Sequence, residues 1–151
     1  MSEMIMEAEE MKNIRFTVKG NPFGKQRPKF ARQGVYVHAY TPSKTLSRER
    51  EIAAVYMEEA KGRRFNKGQA LDIRIIAYYP IPKSTSRKKQ KDMLEHRIRP
   101  TVKPDLDNVA KLVYDALNGV AWHDDNAIVD TQVRKFYSDD PRVEIFIKTV
   151  E

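Results

Sequence analysis

Residues able to do chemistry are concentrated in Lys103-Pro104-Asp105-Leu106-Asp107-Asn108-Val109-Ala110-Lys111 and its sequel His123-Asp124-Asp125-Asn126. Six aspartates (Asp105, Asp107, Asp115, Asp124, Asp125, Asp130) lie between Asp105 and Asp130, against one strongly basic residue, Lys111. Carboxylates brought together raise each other's pKa unless a cation sits among them. Asp105 and Asp107 are two residues apart, so in an extended segment both side chains point the same way. Asp125 follows on a loop that can return to that pair after a helix. Three converging carboxylates, with no cysteine in the chain and only three histidines, favour Mg2+ or Mn2+ over zinc. Magnesium takes few carboxylates and leaves room for water and phosphate oxygens, which suits phosphodiester hydrolysis. Lys111, one turn after Asp107, stands where an ammonium can steady a phosphate or leaving oxygen. The plainer alternative is that Asp107 only caps a helix and Lys111 only pairs with Asp107 and Asp115.

Two other carboxylate chemistries fail on local detail. A calcium-binding EF-hand loop needs an oxygen ligand at its fifth position and glycine at its sixth, where Val109 and Ala110 stand. A phosphatase-type nucleophile follows a buried strand, which Arg97-Ile98-Arg99-Pro100-Thr101-Val102-Lys103-Pro104 is not.

The acidic knot interrupts a basic protein of 151 residues, with 28 Lys+Arg against 21 Asp+Glu and a net charge of +7. Such a balance suits a polyanionic partner, nucleic acid or anionic lipid. Directly before the aspartates, Lys83 to Lys103 holds eight Lys or Arg against Asp92 and Glu95. A second basic stretch runs from Gly24 to Arg32. The expected nucleic-acid contacts are Lys25, Arg27, Lys29, Arg87, Lys88, Lys89, Lys91 and Lys103. Phe30 and Tyr36 are expected in the core, the alternative being stacking at the centre of a branched nucleic acid. A non-catalytic DNA-architectural module is the competing reading, although carboxylates near phosphates weaken binding.

The elements that must position these residues follow from periodicity. Asn13–Gly20 alternates, with Ile14, Phe16 and Val18 on one face, and reads as a strand. Val35–Tyr40 is a second strand after a turn at Gly34. Thr41-Pro42-Ser43 starts a helix running to about Lys61, capped by a hydroxyl, with Leu46, Ala53, Val55, Tyr56, Met57 and Ala60 inward. Ala70–Tyr79 is the central strand, Ser84–Leu94 a short basic helix or flap, and Asp107–Leu117 a helix stopped by Asn118-Gly119. Ile128–Tyr137 and Arg142–Val150 are the last strands. The order β-β-α-β-α-β-β predicts one α/β (α+β) domain over 13–151, a mixed sheet of about five strands with two main helices packed on it, behind a flexible acidic leader over 1–12.

Neither a run of about 18 apolar residues nor a basic-then-apolar leader is present, so no membrane attachment is expected. The cysteine-free composition fits a reducing cytoplasm.

The motif Lys103-Pro104-Asp105-Leu106-Asp107-Asn108-x-x-Lys111, then Asp115-Ala116-Leu117-Asn118-Gly119 and Asp124-Asp125, resembles the RusA family of Holliday-junction resolvases. Gly20-Asn21-Pro22, Lys25-Gln26-Arg27-Pro28, Ile81-Pro82-Lys83-Ser84 and Lys135-Phe136-Tyr137 are similar to it as well, so the likeness spans about residues 14–150. It implies a homodimeric, Mg2+-dependent endonuclease of recombination and repair that cuts four-way DNA junctions, often prophage-encoded, with no organic cofactor. Carried across by motif, Asp105, Asp107 and Asp125 are the catalytic, metal-binding carboxylates, Asp124 a further candidate ligand, and Lys111 the catalytic lysine. A longer N-terminal leader and a longer Lys83–Lys103 stretch than in the shortest members leave the preference among branched DNAs open.

Overall fold

The computed structural model describes residues 11–151, so most of the expected leader lies outside the described residues. In chain order the elements are β1 (Asn13–Lys19), β2 (Lys29–Gln33), β3 (Tyr36–Tyr40), α1 (Ser43–Ala60), β4 (Leu71–Pro80), α2 (Arg87–Leu94), α3 (Leu106–Leu117), a 3-10 turn (Asp125–Ala127), β5 (Ile128–Ser138) and β6 (Arg142–Thr149). The result is the expected mixed α/β domain.

One mixed sheet has the order β1-β6-β4-β5. β4 is interior, antiparallel to β6 with Ile75 opposite Ile145 and parallel to β5 with Ile75 opposite Val133. Alternation builds the core directly: Ile14, Phe16 and Val18 of β1, Ile73, Ile75 and Ala77 of β4, and Val143, Ile145 and Ile147 of β6 are buried on one face. The sheet has four strands rather than about five. The fifth expected strand, β3, pairs only with β2, in a separate two-stranded sheet. Lys29–Gln33, which its charges make look like loop, is a strand because it pairs residue for residue with β3, Ala31 opposite His38.

The helix α1 presents Thr45, Ile52, Tyr56 and Ala60 to the core, and Tyr56 meets Phe16 edge-on at 5.7 Å. Leu46 and Met57, expected inward, are exposed, because a helix buries one stripe and Ile52-Tyr56-Ala60 at four-residue spacing defines it. The expected hydroxyl cap is absent: Pro42 occupies the N-cap position without a side-chain hydrogen bond. The helix α3 buries Val109, Leu112, Val113, Ala116 and Leu117 as its sequence predicts, with Ala110 added. It stops before Gly119, whose positive φ of 77° is the left-handed conformation expected there.

Two tethers hold the approach to α3. On one side the Lys25 amide donates to the Asn108 carbonyl at 2.9 Å. Gly24 there lies so close that an added Cβ would stand 2.8 Å from Pro104 Cβ, so only glycine fits without a shift. On the other side Lys135 Nζ donates to the Val102 carbonyl at 2.7 Å, Arg99 Nε to the Lys135 carbonyl at 2.9 Å, and the Tyr79 hydroxyl to the Pro104 carbonyl.

Candidate active site

The helix starts one residue earlier than expected, at Leu106, and this changes where the first two aspartates point. Asp105 is the N-cap residue, extended at φ −67° and ψ 152°, and its side chain makes no capping bond. Asp107 is already in the first turn. The alternation expected to aim both carboxylates alike therefore ends at Asp105. Asp107 instead shares a stripe with Lys111 and Asp115 at four-residue spacing. Asp105 faces the end of β4, where its charge acts on Tyr79 and Lys135. Burial first, then Asp105, pushes the Tyr79 hydroxyl up to about 12. Burial lowers the Lys135 ammonium, and Asp105 opposes that shift.

Asp125 reaches the other end of the same stripe. The return loop is tight: Ala121 N–H donates to Leu117 O at 2.8 Å and Gly119 N–H to Trp122 O at 3.0 Å. Trp122 is 1% exposed, and its indole N–H donates to Asp125 Oδ1 at 2.8 Å. A buried indole N–H needs an acceptor, so burial of Trp122 fixes the carboxylate. Burial raises the Asp125 pKa above its ordinary value, and the charges of Asp115 and Asp124 add to the rise; the Trp122 bond and Lys111 oppose it. Lys111 stays largely exposed, 3.9 Å from Asp115, between Asp107 and the Asp115–Asp125 end.

Lys25, expected to touch nucleic acid, is turned inward. Its side chain is 15% exposed, and the ammonium pairs with Glu49 of α1 and, at 3.1 Å, with Asp115 of α3. Burial acts to lower its pKa, but hydrogen bonds and charge from both carboxylates outweigh it, and the value is raised. Sequence reasoning missed Glu49 and Trp122 as parts of this site, and gave Asp115 no role in it beyond a pair with Lys111. The one available signal was that the chain's single tryptophan stands just before His123-Asp124-Asp125.

Among the described residues no three His, Asp or Glu side chains form a group able to hold a metal ion. The expected three-carboxylate cage is thus not preformed. The donor chemistry nevertheless fits a hard divalent ion. Asp125 sits among like charges that raise its pKa, and Mg2+ needs only one or two protein carboxylates, completing its shell with water and phosphate.

Basic residues line the cleft beside Asp105 and also lie exposed on α2, which packs on β5. Arg27 and Lys103 line an open cleft of about 630 Å3 together with Lys25, Asp105 and Asn108. Arg87, Lys88, Lys89 and Lys91 are exposed on α2, whose first turn Ser86 caps by accepting from the Lys89 amide. Two other cations of that stretch are engaged: Arg97 with Asp92 and Glu95, and Arg99 over the Phe136 ring at 4.3 Å. Lys29 is exposed on β2. Phe30 and Tyr36, expected in the core, are 73% and 76% exposed, because their hairpin packs no face on the main sheet.

An acidic stripe carrying one lysine, set in a basic α/β domain, is suited to cutting a phosphodiester. The family profile Endodeoxyribonuclease RusA matches residues 19–148, and the chain belongs to the RusA endodeoxyribonuclease family. It is also 39% identical over 139 residues to uncharacterized protein YqaN of Bacillus subtilis (strain 168), covering 91% of this chain and 96% of that one.

Proposed function

We propose that this protein is an Mg2+-dependent, structure-selective DNA endonuclease that resolves four-way junctions by paired cuts, as a homodimer, in recombination and repair. Mn2+ is the natural substitute ion. The observation that carries the reading is the α3 stripe, Asp107-Lys111-Asp115, closed by Asp125 at its far end, within a family of endodeoxyribonucleases. Asp105, Asp107 and Asp125, with Asp124 next to Asp125, are the carboxylates from which Mg2+ would take its one or two protein ligands. The ion, when bound, supplies an activated water and neutralises charge developing on the phosphate.

The chain's own residues do the rest. Trp122 orients Asp125 by engaging Oδ1, which leaves Oδ2 for a ligand. Lys25 holds Asp115 through its ammonium. Lys111, exposed beside them, offers a cation to the scissile phosphate or the leaving oxygen. Arg27, Lys103 and the α2 lysines attract the backbone. A junction is pseudo-twofold, and paired cuts need two sites related by a twofold axis; one chain has one acidic stripe, so a C2 dimer supplies the second.

Cleavage of a four-way junction by wild type and Asp107→Asn, with Mg2+ and with chelator, tests the proposal. Wild type should cut only with metal, and the variant should lose on the order of 10³-fold in rate while still binding. Equal cutting by both would sink it. Binding with no metal-dependent cutting would instead favour the architectural module.

A further inference from the structure

The hairpin β2–β3 has no counterpart in the machinery described above. Every residue of β3 is exposed, and on β2 only Ala31 is half-buried. A two-stranded hairpin exposed on both faces is marginal in water by itself. Its register places Tyr36, His38 and Tyr40 on one face, beside Gln33, Ala31 and Lys29 respectively, and Phe30 and Val37 with Arg32 on the other. Exposed aromatics in such a row are unusual on a surface with no partner.

The residues around them indicate the partner. From Gly20 to Ser47 there are five Lys or Arg (Lys25, Arg27, Lys29, Arg32, Lys44) and no Asp or Glu. Two such hairpins laid against each other would repel, whereas a polyanion is attracted. The hairpin begins at Lys29, two residues after Arg27, which lines the cleft with Asp105. It therefore springs from the wall of the candidate active site. The His38 and Tyr40 ring centroids are 6.3 Å apart with the planes tilted by 48°, so the two rings stand side by side on one exposed face, each with a π-face on which a base can stack. Aromatic rings interleaved with cations are how proteins hold unpaired bases without reading sequence.

We infer that the β2–β3 hairpin is a stacking platform for unstacked bases at a DNA branch point, with Tyr36, His38 and Tyr40 as the rings and Lys29 and Arg32 as the phosphate contacts. This rests on the DNA-nuclease reading and adds the feature that distinguishes a branch from a duplex. The platform recognises exposed base faces beside the aspartates. Duplex DNA, whose bases are stacked and paired, gains only the charge contacts.

The test uses the full chain in chelator, so that nothing is cut. It compares a four-way junction carrying aminopurine at the branch with a duplex carrying the same base. Wild type should bind the junction more tightly and change the branch aminopurine fluorescence. The triple variant Tyr36→Thr/His38→Thr/Tyr40→Thr should bind the junction about tenfold or more weakly, lose the fluorescence change, and hold duplex within about twofold. Tyr36→Phe/Tyr40→Phe, which keeps the rings, should behave as wild type. Unchanged junction affinity and fluorescence in the triple variant would overturn the inference while leaving the nuclease reading intact. A triple variant that turns monomeric by light scattering where wild type is dimeric would overturn it too, by making the hairpin an interface between copies. Failure of the nuclease reading shows in wild type alone, as no preference for the junction and no cutting once Mg2+ is added, and the inference falls with it.

Discussion

Two neighbouring basic segments of this chain do opposite things. In Pro22–Arg27 the backbone of Lys25 is bonded to α3, its ammonium is shared by Glu49 and Asp115, and Gly24 is pressed against Pro104. Two residues beyond Arg27, the β2–β3 hairpin extends with both faces in solvent. The composition of the two is alike. What separates them is the presence of an acidic partner: Lys25 meets carboxylates from two helices, and Lys29 meets none of its own fold's acids among the described ion pairs. The part of the molecule that would do chemistry is over-determined by contacts. The part that would hold a polymer is left free to meet it.

The largest effect expected from this contrast is on stability. Lys25→Ala leaves Glu49 and Asp115, which are 17% and 28% exposed, without their shared cation. Partly buried carboxylates stripped of a partner should cost about 2 kcal/mol, a Tm drop on the order of 5 °C. Lys29→Ala should move Tm by less than about 1 °C. Thermal unfolding of the two variants side by side breaks the comparison if the drops are equal. It sharpens the comparison if Glu49→Gln partly restores the Lys25→Ala protein by removing one of the stranded charges.

A smaller effect is expected where the cations face solvent. The triple variant Lys88→Ala/Lys89→Ala/Lys91→Ala should leave Tm unchanged, since these side chains are exposed on α2. If all three touch phosphates, the slope of log K against log salt should flatten by about 2.7, at about 0.9 for each contact. Junction affinity near physiological salt should fall about tenfold. An unchanged slope would remove α2 from the DNA-binding face and leave Arg27, Lys103 and the hairpin to account for it.

How much of this was legible in the sequence follows from the range of the interaction involved. The strands β1, β4 and β6 and the helix α3 were legible because burial of one face imposes a period, and a period is local. The face of α1 was misread because six apolar residues were counted and only those in phase with Ile52, Tyr56 and Ala60 could be buried. The hairpin was half legible: β3 alternates, but its alternation has no buried side, and the charges of β2 concealed a strand. In the candidate site, the grouping of Asp107, Lys111 and Asp115 on one stripe follows from helical spacing alone. The start of α3 at Leu106, which parts Asp105 from Asp107, makes Asp105 the N-cap; both aspartates are residue types that suit that position, and the sequence did not choose between them. The pairing of Lys25 with Asp115 joins segments far apart in the chain, and spacing carries no trace of it. Trp122 holding Asp125 is local, three residues on, but only knowledge that the indole is buried turns proximity into a hydrogen bond.

The smallest expected effect concerns Asp125, and its sign separates a carboxylate kept for a ligand from one kept for the fold. Its pKa is raised above the ordinary 3.8 by burial and by Asp115 and Asp124, against the Trp122 bond and Lys111. A carboxyl whose folded pKa is raised favours folding in its protonated form; that contribution is complete below the unfolded value and is lost as pH rises through the folded one. At neutral pH in chelator the ionised Asp125 therefore costs stability. Asp125→Asn removes the charge, and its amide oxygen still accepts from the Trp122 indole. The variant should melt higher than wild type at pH 7, with the gain shrinking as pH falls toward 3.8. Adding Mg2+ should then raise the Tm of wild type and leave the variant unmoved, because a ligand that binds only the folded form stabilises only the protein that binds it. A variant that melts lower than wild type at pH 7 in chelator would mean that the charge serves the fold, and Asp125 would then belong with Lys25 among the groups that hold the site together.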